Sequence, residues 1–126
     1  MPVKIIIVDD EPIIAEEVFE TLTDEGYECL VAGNVDDALA LVKNTKDIDI
    51  ILTDLKMPKK TGADLIVAVE KEFSQQIKFI VMSGHGSPKI EGNGVDVGSY
   101  PLLRKPINIY DLLDTVAAVL ESKETE

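Results

Sequence analysis

Two aliphatic runs constrain this chain more than any other feature. Residues 4–8 read Lys-Ile-Ile-Ile-Val and residues 48–52 read Ile-Asp-Ile-Ile-Leu. Short Ile-rich runs bounded by turn residues suit strands buried on both faces. Each run leads into carboxylates and then a proline, as Asp9-Asp10-Glu11-Pro12 and as Asp54-Leu55-Lys56-Met57-Pro58. Proline cannot continue a strand ladder, so each run must stop there. Strands covered on both faces belong to a parallel sheet, and parallel strands need helical crossovers between them.

The crossovers are legible. Pro12 suits a helical first turn, and Ile14, Val18, Thr21 and Leu22 follow at helical spacing up to Gly26. Residues 27–32 form a weaker second strand, with Cys29 as a small buried apolar residue. Gly33-Asn34 is a turn, and Val35, Ala38, Leu39 and Val42 mark a short helix ending near Asn44. Residues 59–62 read as a loop, followed by a stripe of Leu65, Ile66, Val69 and Phe73. Residues 77–82 form a fourth apolar run, ending at Ser83-Gly84-His85-Gly86. Residues 87–99 carry a poor helix signal, because Gly92-Asn93-Gly94 falls in the middle and each glycine costs about 1 kcal/mol against alanine. Leu102-Leu103 is a short last strand before Arg104-Lys105-Pro106. Ile109, Leu112, Leu113, Val116 and Leu120 give a final amphipathic helix. Strand and helix thus alternate five times, with the fourth helix short, displaced or irregular. Residues 1–122 form one unit and residues 123–126 a charged tail.

Composition removes several classes of function. A net charge of −12 opposes broad nucleic-acid binding, which needs a basic surface. No apolar run approaches the roughly 18 residues of a membrane helix. Met1-Pro2-Val3-Lys4 has no leader pattern, and a single cysteine permits no internal disulfide, so the expected setting is a reducing cytoplasm without membrane contact.

In a parallel sheet all strand carboxyl ends share one edge, where open α/β sheets place their ligands. Asp9 and Asp10 follow strand one, Asp54 strand three, Ser83 strand four and Lys105 strand five. With strands one and three adjacent, three carboxylates crowd together. Two unit charges about 4 Å apart repel by about 4 kcal/mol at an effective dielectric of 20. A divalent cation and the lysine ammonium are the natural compensation, and hard oxygen ligands favour Mg²⁺, Mn²⁺ or Ca²⁺. A carboxylate so placed can attack phosphorus and form an aspartyl phosphate. Lys105 would meet one phosphoryl oxygen and Ser83 another. No general base stands out, so the acyl phosphate is expected to persist as a signal.

These residues carry a resemblance. Val8-Asp9-Asp10-Glu11, Asp54 to Pro58 with Gly62, Val81-Met82-Ser83-Gly84 and Lys105-Pro106 occur in the order and spacing of the receiver domains of bacterial two-component response regulators, over almost the whole chain. The resemblance implies a flavodoxin-like, doubly wound α/β fold with strand order 2-1-3-4-5. It implies phosphorylation of Asp54 by a sensor histidine kinase or a histidine phosphotransfer protein. It implies Mg²⁺ held by Asp9, Asp10, Asp54 and the backbone carbonyl of Lys56, with Ser83 and Lys105 on the phosphoryl group. A cis bond between Lys105 and Pro106 is common in the family. Such a protein takes part in its own phosphotransfer and autodephosphorylation rather than in turnover of a substrate. Its output is an unidentified partner protein or an output domain outside this sequence.

Two departures bear on the switch. Receivers usually carry Tyr or Phe three residues before the lysine, where this chain has Leu102. Either Leu102 packs inward permanently or Tyr100 takes the aromatic's place. The glycine-rich stretch where the fourth helix is expected is the second departure. Lys56 and His85, each two residues beyond a site residue, are candidate tuners of the aspartyl-phosphate lifetime.

Taken singly, these residues have plain readings: Asp9-Asp10 as helix N-terminal acids, Asp54 as a loop carboxylate, Ser83 as a turn residue, Lys105 as a surface lysine. Asp47 and Asp49 read as solvated, and Asp64 as lying on the outer face of its helix. The coincidence of five residues at one sheet edge favours the switch. A phosphatase of the haloacid dehalogenase type would want Asp-x-Asp after strand one and a cap insertion. A flavin-binding module would want a hydroxyl-rich phosphate loop there, not three acids. A degenerate receiver that binds partners without phosphorylation is the remaining alternative.

Overall fold

The computed structural model describes residues 2–73, 76–84 and 99–124. β1 (Lys4–Val8), β2 (Glu28–Ala32), β3 (Ile50–Asp54), β4 (Lys78–Ser83) and β5 (Leu102–Arg104) form one parallel sheet in the order β2-β1-β3-β4-β5. The expected flavodoxin-like order is therefore the observed one. The connecting helices are α1 (Pro12–Asp24), α2 (Val35–Asn44) and α3 (Gly62–Glu72), and α4 (Ile109–Glu124) closes the chain. Among the described residues there are four helices rather than five. The weak helical stretch, with Gly92, Asn93, Gly94 and His85, lies outside the described residues.

The two-residue period of the strands divides the core into two layers. Ile6, Val8, Ile51, Phe79 and Val81 face α2 and α3, meeting Val35, Ala38, Val42, Leu65, Ile66 and Val69. Ile5, Ile7, Ile50, Leu52, Ile80 and Met82 face α1 and α4, meeting Ala15, Val18, Leu22, Leu112, Val116 and Val119. This is why the β1 and β3 runs are continuously aliphatic: each alternate residue enters a different core. β2 is an edge strand, so its pattern is diluted. Val31 is exposed and Cys29 only half-buried, against the buried Cys29 expected. Ile109, expected in the last apolar stripe, is exposed, and Val119 takes a core place instead.

The helix starts are locally encoded. Asn34 caps α2 by accepting the Asp37 N–H at 2.8 Å. Thr61 and Asp64 form a reciprocal capping box on α3, with the Thr61 N–H donating to Asp64 at 2.8 Å and the Asp64 N–H to Thr61 at 3.2 Å. Asp64 is thus a capping residue and not a merely solvated acid. Asp49 is likewise committed, accepting the Lys4 N–H at 3.0 Å and tying the entry of β3 to β1. Asp47 is exposed, as expected, and has a positive φ of 61°.

Candidate functional site at the sheet edge

β3 ends on Asp54 itself, and its carboxylate is buried beside the residue that follows β1, Asp9. The neighbouring backbones are laced at this edge: the Leu55 N–H donates to the Met82 carbonyl at 3.0 Å, and the Lys105 N–H to the Ser83 carbonyl at 2.9 Å. The second contact places Lys105 next to buried Ser83 and turns its side chain across the edge. The Lys105–Pro106 peptide is cis. Behind Asp54, the hydroxyl of Thr53 donates to the Asp54 carbonyl at 3.0 Å.

Gly62 explains its own place in the pattern. A Cβ there would stand 2.5 Å from the Asp54 carbonyl oxygen and 3.1 Å from the Leu55 Cα. Only glycine lets the first turn of α3 sit against the end of β3, and its N–H donates to the Leu55 carbonyl at 3.0 Å. Leu55 and Met57 are buried and anchor the loop between them, leaving the Lys56 side chain exposed.

The charges converge on one ammonium. Lys105 Nζ lies 2.9 Å from Asp9 Oδ2, 3.0 Å from Glu11 Oε1 and 3.1 Å from Asp54 Oδ2. The contacts to Glu11 and Asp54 are directed hydrogen bonds. The contact to Asp9 Oδ2 is an ion contact, and that buried oxygen has no hydrogen-bond donor among the described residues. Asp9 Oδ1 accepts the Glu11 N–H at 2.9 Å. Asp10 sits exposed at the rim. Oxygens of Asp9, Asp10, Glu11 and Asp54 all lie within 4.8 Å of one another.

Burial raises the Asp54 carboxyl above its ordinary value, and the Asp9 charge adds to this. The Lys105 hydrogen bond and charge, and the hydrogen bond from the Lys56 backbone, work against it. Burial alone would lower Lys105, but its contacts with Asp9, Glu11 and Asp54 outweigh it and hold the ammonium well above its ordinary value. Four carboxylates around one lysine remain net negative. That excess, with one buried carboxylate oxygen lacking a donor, fits a hard divalent cation bound through oxygen.

Asp9, Asp10, Asp54, Ser83 and Lys105 are thus gathered at one edge, as the strand ends require. His85 lies outside the described residues. Leu102 is half-buried, pairs with Val81 and packs with the α2/α3 layer. Tyr100 packs against the same layer, edge-on to Phe79 with centroids 5.8 Å apart, its hydroxyl 3.4 Å from Glu70. Glu11, which the sequence places only at the start of a helix beside the Asp pair, is a direct partner of Lys105 across 94 positions of sequence. Its place directly after the Asp pair was the available signal.

A five-stranded parallel sheet in this order, with acids and a lysine meeting at its carboxyl edge, defines a doubly wound α/β protein with an acidic cluster that could hold a metal ion. The chain belongs to the response regulator receiver domain family, whose model matches residues 5–117. It is 32% identical over 117 residues to the transcriptional regulatory protein CpxR of Klebsiella pneumoniae, covering 93% of this chain and 49% of that protein. It is 29% identical over 126 residues to the chemotaxis protein CheY of Treponema pallidum, covering 95% of this chain and 84% of that protein. The solved chemotaxis response regulator CheY4 of Vibrio cholerae superposes with a TM-score of 0.82 at 32% identity, over 94% of this chain and 99% of that one. The chain spans about half the length of CpxR. Among the described residues no helix is long and apolar enough to cross a membrane.

Proposed function

We propose that Asp54 is the phospho-acceptor of a Mg²⁺-dependent signalling switch, receiving its phosphoryl group from a phosphohistidine of a sensor histidine kinase or a phosphotransfer protein. The observation that carries this is the buried Asp54 carboxylate, 3.1 Å from the Lys105 ammonium and grouped with three further carboxylates. An Asp54 carboxylate oxygen attacks phosphorus. The phosphorus–nitrogen bond breaks, its electron pair stays on the imidazole, and an acyl phosphate remains on Asp54. Lys105 stabilises charge on one phosphoryl oxygen and the Ser83 hydroxyl donates to another. Asp9, Asp10 and Asp54, with the backbone carbonyl of Lys56, would hold Mg²⁺, which supplies charge neutralisation at the phosphoryl group when bound. Lys56 and His85 tune the lifetime of the acyl phosphate.

Phosphorylation brings about −1.5 to −2 charge and new acceptor oxygens. Ser83 and Lys105 reorient toward them and carry their loops along. Leu102 takes the inward position beside Val81, so the usual aromatic rotation is replaced by movement of the backbone around Ser83 and Lys105. Residues 1–122 are the receiver unit, acting in the cytoplasm. The output is a protein partner or a domain beyond this sequence, and this segment does not itself bind nucleic acid.

The test is intact mass after incubation with acetyl phosphate and Mg²⁺. The wild type is expected to gain one phosphoryl group and Asp54→Asn none. A wild type that stays unmodified, or an Asp54→Asn variant modified equally, would end this reading. Unchanged dephosphorylation kinetics in Lys56 and His85 variants would end the tuning role.

A further inference from the structure

Lys105 is crowded by carboxylates. Its ammonium donates to Glu11 Oε1 at 3.0 Å and to Asp54 Oδ2 at 3.1 Å, and it touches Asp9 Oδ2 at 2.9 Å. Two of its three N–H groups are committed to directed bonds, and the Asp9 carboxylate crowds the third. With three carboxylate oxygens this close, an incoming phosphoryl oxygen meets Lys105 most readily by displacing one of them.

The three partners differ in how easily they can do so. Asp9 and Asp54 are buried. Asp9 is also held through its other oxygen by the Glu11 N–H at 2.9 Å. Asp54 is the reacting group and cannot leave. Glu11 is the outer partner, with its side chain 59% exposed to water. Its backbone forms the N-cap of α1, yet its side chain makes no capping bond there. Its carboxylate is therefore free of helix duties and reaches over to Lys105.

We propose that Glu11 is a releasable clamp on Lys105, holding one N–H of the ammonium in the resting site and surrendering it to the phosphoryl group. The proposal rests on the reading of Asp54 as the phospho-acceptor. Glu11 touches none of the reacting atoms, so it is a positioning residue acting through Lys105. Two anions compete for one donor: the Glu11 carboxylate at rest, the phosphoryl oxygen afterwards. Water re-solvates the exposed carboxylate at little cost, which is why this partner and not Asp9 is the one displaced. The clamp keeps the ammonium inside the acidic site while no phosphoryl group is present, and it makes occupancy of the site compete with a contact to the first turn of α1.

The test is calorimetric titration of the whole chain with beryllofluoride, a phosphoryl mimic, at saturating Mg²⁺, with Mg²⁺ affinity measured separately. Glu11→Gln keeps the shape and removes the charge. Glu11→Asp keeps the charge and withdraws the carboxylate by one methylene. Both are expected to bind beryllofluoride roughly two- to fivefold tighter than the wild type, the scale of losing a partly exposed ion pair. Tighter binding by Glu11→Gln alone would assign the effect to general repulsion and overturn the clamp. Affinity equal to the wild type, or weaker, in both variants would overturn it too while leaving the receiver reading intact. Failure of the wild type to bind beryllofluoride would remove the receiver reading and the clamp with it.

Discussion

Replacing Asp54 by asparagine is expected to stabilise the fold while abolishing its chemistry. At an effective dielectric of 20, the Lys105 ammonium at 3.1 Å attracts the Asp54 charge by about 5 kcal/mol. Each carboxylate at the 4.8 Å limit of the cluster repels it by about 3.5 kcal/mol on the same scale, and there are three. Asp10 and Glu11 are exposed, so water screens much of their share. Burial opposes the charged form as well. The balance is against ionised Asp54, which is the direction in which its carboxyl is shifted. The neutral amide keeps the shape and is expected to add about 1 kcal/mol of stability near pH 7, or roughly 3–5 °C in Tm. The sign with pH follows from linkage. A carboxyl raised in the folded state contributes stability that is fully present below its ordinary value of 3.8 and is lost as pH rises through the folded value. The advantage of Asp54→Asn should therefore be largest near neutrality and shrink toward zero as the pH falls to the ordinary carboxylate range. Circular dichroism melts of both proteins across that range, without divalent ions, measure it. An asparagine variant that is less stable than the wild type near pH 7 would refute the reasoning, because the Lys105 contact would then outweigh repulsion and burial together.

Gly62→Ala forces a Cβ onto the Asp54 carbonyl oxygen, and since both partners are backbone the strain cannot relax through a side chain. A loss of about 1–3 kcal/mol and slower phosphoryl uptake are expected, measured by urea denaturation and intact mass. Lys105→Met leaves the buried carboxylates of Asp9 and Asp54 without their cation. It should cost about 3 kcal/mol in metal-free buffer, and added Mg²⁺ should raise its Tm more than that of the wild type. Thr61→Ala removes the acceptor of the Asp64 N–H and should cost about 1 kcal/mol in a thermal melt without changing which residue is phosphorylated.

The site was legible where it depends on local punctuation. An aliphatic run halted by a carboxylate and a proline marks a strand end, and a parallel sheet brings its strand ends together. Asp9, Asp54 and Lys105 follow from that logic without knowledge of any contact. The Asp64 cap was within reach of the same reasoning, since Thr61 and Asp64 have the spacing of a capping box, but residues 59–62 had been read as a loop. The partners of Asp49 and Glu11, Lys4 and Lys105, were not legible, because they lie 45 and 94 positions away. The exposure of Ile109 was hidden too, because helical spacing identifies a stripe but not where its edge meets the sheet.

By itself the sequence determined the alternation of strand and helix, the parallel sheet and the gathering of acids and one lysine at a single edge. These follow from short-range patterning, which every residue carries with it. The tertiary structure decided that the lysine ammonium bonds Glu11 and Asp54 and stands against Asp9, which carboxylate oxygen lacks a donor, and why residue 62 must be glycine. It also decided that Leu102 and Tyr100 both pack, half-buried, against the α2/α3 layer, Tyr100 edge-on to Phe79. Distances of a few tenths of an ångström settle such matters, and they are set only when four strands and their loops are held against one another.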